Sequence, residues 1–212
     1  MIRKTIKKIE ENNKKIKEMS CAVGRIESKQ LENIKVNRLA DVEFKVFSQW
    51  GEDGIIQYIV KNITIKNDVF VEFGVGDYTE SNTRFLLINN NWSGLVIESS
   101  KSDVEYIKKD DIYWKYDLNA INSFITRDNI NPILKENVKE TDIGLLSIDI
   151  DGNDYWIWKA IEIIKPRIVI CEYNSVFGNE YFITIPYDDN FDRAAKHYSH
   201  LYYGASLPAL CD

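Results

Sequence analysis

The spacing of apolar positions changes along the chain, and the changes predict its elements. At the amino terminus Ile2, Ile6, Ile9 and Ile16 stand four, three and seven residues apart with charged residues between them, the spacing of one helical face. Asn13 falls where the next seam residue is due. A polar seam residue can set register and oligomer state, so this arm, residues 1–40, reads either as a dimerising helix or as an amphipathic helix packed on its own domain. From about residue 53, helical and strand-like segments alternate, the signature of a parallel sheet covered on both faces. Ile55, Ile56, Ile59 and Val60 form a helical stripe. The pattern predicts strands at 68–73, 94–98, 112–116, 143–150 and 167–172. Helices are predicted at 82–88 and 103–109, with another carrying Trp156, Trp158, Ile161 and Ile164. Continuous apolar runs mark strands buried on both faces. The fold class that follows is α/β: a Rossmann-like doubly wound sheet over residues 41–212, preceded by an N-terminal helical arm.

Composition narrows the classes. A chain of 212 residues, 44% hydrophobic and 28% charged, suits an ordinary globular domain. No run approaches the ~18 apolar residues of a membrane span, and the lysine-rich start lacks the apolar core of a signal peptide, so the expectation is a cytoplasmic protein. Cys21, Cys171 and Cys211 are odd in number and far apart, giving neither a disulfide framework nor a zinc spacing. The net charge of -6 is unevenly spread: residues 1–40 hold 11 Lys/Arg against 5 Asp/Glu, and the rest 16 against 28. The lysines of the arm alternate with glutamates and lack interleaved aromatics, which indicates a solvated face rather than a nucleic-acid surface.

Ligands of open parallel sheets bind beyond the carboxyl ends of the strands, so the residues that follow each strand carry the functional information. Gly74 and Gly76 follow the first strand, where glycines permit a tight turn and close approach to a ligand. Glu98 ends the second, 24 residues beyond Gly74, a spacing suited to accepting hydrogen bonds from both ribose hydroxyls. Asp117, near the predicted end of the third, is an acceptor for an adenine amino group. The fourth ends in Asp149-Ile150-Asp151-Gly152-Asn153-Asp154 and the fifth in Glu172-Tyr173-Asn174. Thr79 stands where a dinucleotide fold would have its third glycine, which weakens the pyrophosphate reading. Asp149 is expected to point away from Ile150 and to be structural, and Asp154 to be a helix cap or first-turn acid.

Phe47-Ser48-Gln49-Trp50-Gly51-Glu52-Asp53-Gly54, Val71-Glu72-Phe73-Gly74-Val75-Gly76, Asn91-Trp92-Ser93-Gly94-Leu95-Val96-Ile97-Glu98 and Ser147-Ile148-Asp149-Ile150-Asp151-Gly152-Asn153-Asp154-Tyr155 together resemble the FkbM-type branch of the S-adenosylmethionine-dependent methyltransferases, from about residue 44 to the C-terminus. Members are mostly O-methyltransferases, commonly of sugars in surface polysaccharides or natural products. The resemblance implies a class I methyltransferase sheet. It assigns Glu72 and Gly74 to the methionine and ribose side of S-adenosylmethionine, Glu98 to the ribose diol and Asp117 to the adenine. Ser48 and Gln49 would close over the cofactor, and Ser81 and Asn82 would cap the next helix. The implied activity is methylation of a hydroxyl of a sugar or sugar nucleotide in capsule or surface-polysaccharide synthesis.

An alcohol must lose its proton as it attacks, which calls for a general base or a metal. Asp151 and Glu172, with Asn174 beside them, match the placement of metal-binding acids in divalent-cation-dependent methyltransferases. Oxygen ligands suit Mg²⁺ or Mn²⁺, and His200 would complete a two-carboxylate, one-histidine set that also holds Fe²⁺. Asp151 and His200 are thus the expected catalytic residues, and Asp151, Glu172 and His200 the expected metal ligands. Two other readings stand beside this one: a nicotinamide-dependent oxidoreductase, and a non-catalytic interaction module with a vestigial pocket. A sheet of the implied type continues beyond Leu207 with a helix and an antiparallel pair of strands, so the expectation is either a truncated domain, with an exposed sheet edge, or an abbreviated family member.

Overall fold

The computed structural model describes residues 2–32 and 34–212; the side chain of Ile2, a predicted seam position, lies outside the described part. In chain order the elements are α1 (Ile2–Gln30), α2 (Glu52–Asn62), β1 (Val69–Phe73), α3 (Arg84–Asn90), β2 (Ser93–Glu98), α4 (Lys101–Lys109), α5 (Asp111–Lys115), β3 (Leu118–Asn122), α6 (Ile130–Asn137), β4 (Asp142–Ile148), α7 (Asp154–Ala160), β5 (Lys165–Cys171), α8 (Arg193–Lys196) and α9 (Leu207–Leu210). Contacts gather the chain into two units, residues 1–64 with 79–91 and residues 65–78 with 92–212.

The second unit contains the predicted α/β sheet. Its five strands are all parallel, in the order β3-β2-β1-β4-β5, so the winding direction reverses between β1 and β4. On one face Val71, Phe73, Leu95, Ile97, Leu146 and Ile148 pack with Ile130 and Leu134 of α6 and Ile157 of α7. Burying such side chains is worth about 1.5–3 kcal/mol each, and this core fixes the strand ends that carry the polar rim. Helix α4 packs against β2 and β3. The third strand lies later than predicted. Residues 112–116 fall largely in α5, where Asp110 accepts from the Ile112 amide (3.2 Å) and closes the helical turn. The strand is 118–122, in register from Gly94↔Leu118 to Glu98↔Asn122. Leu118 and Ala120 are buried there, Ile121 is half-buried, and Asn119 and Asn122 are exposed, so β3, an edge strand, has no continuous apolar run to detect.

In the first unit α1 packs against α2 and α3. The contact uses small residues rather than the isoleucine seam. A Cβ at Gly24 would collide with Val46, and the Ser28 hydroxyl donates to Gln57 (2.8 Å), which donates to Asn90 (2.7 Å). Ile6, Ile9, Ile16, Met19, Val23 and Ile26 remain half-exposed or more. Thus the carboxyl half of the arm packs on its own unit while the seam residues Ile6, Ile9 and Ile16 face solvent. Among the described residues no helix is long and apolar enough to cross a membrane.

Gly94 in β2 lies against the Phe70 ring, which occupies the space a Cβ would need. Gly94→Ala should cost about 1–3 kcal/mol through overpacking, lowering Tm by several degrees in a circular-dichroism melt. An unchanged Tm would show that Phe70 yields freely.

Candidate functional site

The loops leaving β1 and β4 meet where the sheet order reverses, which is where an open α/β sheet forms its crevice. Gly74 has φ +71° and lies so close to the Asp149 carbonyl oxygen that no side chain fits between them. Its amide donates to the Ile97 carbonyl (3.0 Å), tying the turn to β2. Glu98, at the end of β2, accepts from the Gly76 amide (2.9 Å) through one oxygen and from the Ser100 amide (2.8 Å) and Ser99 hydroxyl (3.0 Å) through the other. A carboxylate offers about four acceptor positions, so Glu98 braces two loops and keeps capacity for a ligand. The resulting cavity, about 300 Å³, is lined by Gly74, Gly76, Glu98, Phe124, Asp149 and Asp151 among others. A more open chamber of about 730 Å³ adjoins it across Phe124, Ile150, Asp151 and Phe191 and adds Arg193 and His200.

Asp154 shapes the far wall. Buried in the first turn of α7, it accepts from the Ile150 amide (2.9 Å) with one oxygen and from the Gly152 amide (2.9 Å) with the other. This clasp folds the intervening Asp151 into a left-handed conformation, φ +58°, which L-residues seldom adopt. The expected first-turn acid is therefore present, acting on the loop before its helix. Asn174, fully buried, donates through its side chain to the carbonyls of Leu201 and Tyr203 (both 2.9 Å) and anchors the segment that bears His200.

Ligating oxygens of Asp149, Asp151 and Glu172 converge within 4.8 Å of one another. Burial, together with Asp149 and Asp154, pushes Glu172 up to about 7. Burial and Asp151 also raise Asp149, and burial raises Asp154 to about 6. Into this cluster reaches Arg193, whose Nη1 lies 2.6 Å from Asp151 Oδ1 and 3.9 Å from Glu172 Oε1.

Several predicted residues thus come together: Gly74, Gly76, Glu98 and Asp151 on the inner cavity, Asp151 and His200 on the outer chamber, and Glu172 in the acid cluster. Others do not. Asp117 precedes β3, where its backbone carbonyl accepts from the Gly94 amide (2.9 Å), at the opposite end of the strand from the cleft, because the strand begins later than expected; Ser123 and Phe124 line the cavity instead. Glu72 is 4% exposed and accepts from Ser147 (3.4 Å) within the sheet rather than lining the cavity. Ser48 is fully buried in the first unit. Its hydroxyl donates to Asp53 Oδ2 (2.9 Å), an oxygen that also accepts the amides of Val46, Phe47 and Ser48 at 2.7–2.8 Å. Ser48 is therefore a structural member of a clasp on Asp53. Gln49, also in the first unit, is exposed, and Ser81 accepts from the Arg84 amide (3.2 Å) at the start of α3, whose N-cap residue is Thr83.

His200 stands outside the converging acids, and its carbonyl accepts from Arg193 Nε (2.7 Å); Asp149 takes the third place. The reading of Asp149 as a residue turned away extended strand alternation past Ile148, where β4 ends. Asp149 and Arg193 are thus the functional candidates that sequence reasoning missed. For Asp149 the signal was its position just past a strand end; for Arg193 no pattern exists, since its partner is 42 positions away. Oxygen donors suit a divalent cation, and the cation that meets Asp151 and Glu172 here is the Arg193 guanidinium. Compared with known proteins, the sequence matches no family model and no curated relative.

Because folding raises Glu172 above the ~4.3 of an unfolded glutamate, the folded state holds its proton more tightly, and stability falls as pH rises from about 4.3 to about 7. Glu172→Gln should melt higher than the parent above pH 7, with the gap closing toward pH 4.5. A gap independent of pH would remove the strained ionisation.

Proposed function

We propose that the protein is an S-adenosylmethionine-dependent O-methyltransferase acting on a hydroxyl of a sugar or sugar nucleotide, in the cytoplasmic stage of surface-polysaccharide synthesis. The observation that carries this reading is one cavity at the strand-order reversal, with a carboxylate suited to a ribose, Glu98, on one side and acids suited to proton removal, Asp149 and Asp151, on the other. The motifs around Gly74, Glu98 and Asp151, which resemble the FkbM-type enzymes, support the same class. Gly74 and Gly76 present backbone without side-chain bulk, Glu98 retains acceptor capacity for a diol, and Phe124 and Ile125 offer apolar wall to a nucleobase.

When bound, the cofactor supplies a methyl group on a cationic sulfur. The chain's task is to align an acceptor oxygen with that methyl and remove its proton. Asp151 lines both chambers and orients the hydroxyl at their junction. Asp149, whose carboxyl is raised by burial and by the Asp151 charge, takes the proton. His200, on the exposed wall of the outer chamber, is a candidate for carrying it to solvent. The exposed seam on α1 supports a second role, as a contact in a homodimer.

Titration calorimetry with S-adenosylhomocysteine should give binding that Glu98→Ala weakens about 10- to 100-fold, the value of hydrogen bonds to a charged acceptor. Asp149→Asn should retain that binding while methyl transfer falls about 10²-fold or more. No binding by the parent chain would sink the reading. For the dimer, sedimentation should show association that Ile16→Lys abolishes; a parent that remains monomeric would exclude it.

A further inference from the structure

We propose that Arg193 is the resident cation of the carboxylate cluster, a positioning residue standing where a divalent metal would otherwise sit, so that the site works without a metal. This rests on the methyltransferase reading only for the identity of the reaction; the occupancy of the cluster is argued from geometry alone.

Three features hold the guanidinium in place. Nη1 donates to Asp151 Oδ1 at 2.6 Å, Nε donates to the His200 carbonyl at 2.7 Å, and Cζ lies 3.6 Å from the centre of the Tyr203 ring. A rigid fork of donors and a planar face that stacks on aromatics are the properties in which arginine differs from lysine, and all of them are used here. The backbone beneath is also secured. Asp192 accepts the amides of Ala194 and Ala195 (2.8 and 3.3 Å), and Asn174 holds the strand of chain that offers the His200 carbonyl. The cation is therefore delivered by a built loop rather than by a wandering surface side chain.

Its location is the space a metal would need. An ion bound by these acids would sit about 2.0–2.6 Å from oxygens of Asp151 and Glu172, and Nη1 lies between those residues, 3.9 Å from Glu172 Oε1. Binding an ion would break the Asp151 bond and leave the arginine charge facing a dication. With the arginine in place, the left-handed Asp151 is held from two directions: by the Asp154 clasp on the amides flanking it and by the guanidinium on its carboxylate. Arg193 thus acts through Asp151, fixing the carboxylate at the junction of the two chambers.

The test uses Mn²⁺ alone as the probe, followed by electron paramagnetic resonance, on the full chain and on Arg193→Ala. The parent should bind no Mn²⁺ at micromolar concentrations. Arg193→Ala should bind it at least about 10-fold more tightly, lose that binding on further Asp151→Asn substitution, and release the ion when guanidinium ion is added. Arg193→Lys, which keeps the charge but loses the fork and the stacking face, should bind Mn²⁺ more tightly than the parent and less tightly than Arg193→Ala. Micromolar Mn²⁺ binding by the parent that Asp151→Asn abolishes would overturn the proposal even if Arg193→Ala failed to fold, and so would loss of methyl transfer on chelation with recovery on Mn²⁺. S-adenosylhomocysteine calorimetry on the parent separates the two ideas, since its failure removes the methyltransferase reading and leaves the Mn²⁺ result unchanged.

Discussion

The backbone of Gly74 rests against the carbonyl oxygen of Asp149, and the rim of the sheet is organised around that contact. Neighbouring parallel strands β1 and β4 deliver their following loops to one point because the winding reverses between them. A side chain at residue 74 would push the loops apart. With glycine there, the two loops close enough that Glu98 braces one and Asp154 the other, and a cavity remains between. The apolar core beneath, from Val71 to Ile157, supplies the rigidity that loops could not provide for themselves.

Two aspartates perform the same structural task in different parts of the chain. Asp53 in the first turn of α2 gathers the amides of Val46, Phe47 and Ser48, and Asp154 in the first turn of α7 gathers those of Ile150 and Gly152. Buried loop amides are costly to leave unpaired, and a carboxylate at a helix N-terminus also meets the positive end of the helix dipole. Both acids are raised despite these bonds because burial opposes their charge. The acid-rich motifs at 52–53 and 149–154 therefore mix architecture with chemistry: Asp53 and Asp154 hold loops, while Asp149 and Asp151 face the cavity.

Concentrating Asp149, Asp151, Asp154 and Glu172 at one strand edge creates a charge problem that a fold must resolve. One remedy is a raised Glu172, pushed up to about 7, which eases part of it by holding a proton more tightly. The guanidinium of Arg193 is the other, and it arrives from the long segment after β5 rather than from the sheet. That segment is itself pinned by Asn153, which donates to the Asp188 carbonyl, and by Asn174.

Apolar periodicity made the parallel sheet, four of its five strands, and Gly74, Gly76, Glu98 and Asp151 legible, because burial of alternating or continuous apolar residues is a local property of each segment and strand ends follow from it. It failed at β3, an edge strand whose polar residues resemble a loop, and the displaced Asp117 followed from that slip. At α1 it left two readings open, and the structure shows the carboxyl half packing through small residues while the apolar seam stays exposed. Ser48 and Glu72 turned on what each side chain bonds after folding, and Asp149 on where β4 ends. So the sequence alone determined the sheet and the glycine- and acid-bearing ends of its strands. Only the tertiary structure decided which acids clasp loops, which face the cavity, and that the charge of Asp151 is met by Arg193, since hydrogen bonds and ion pairs between distant segments form only once the core has brought them together.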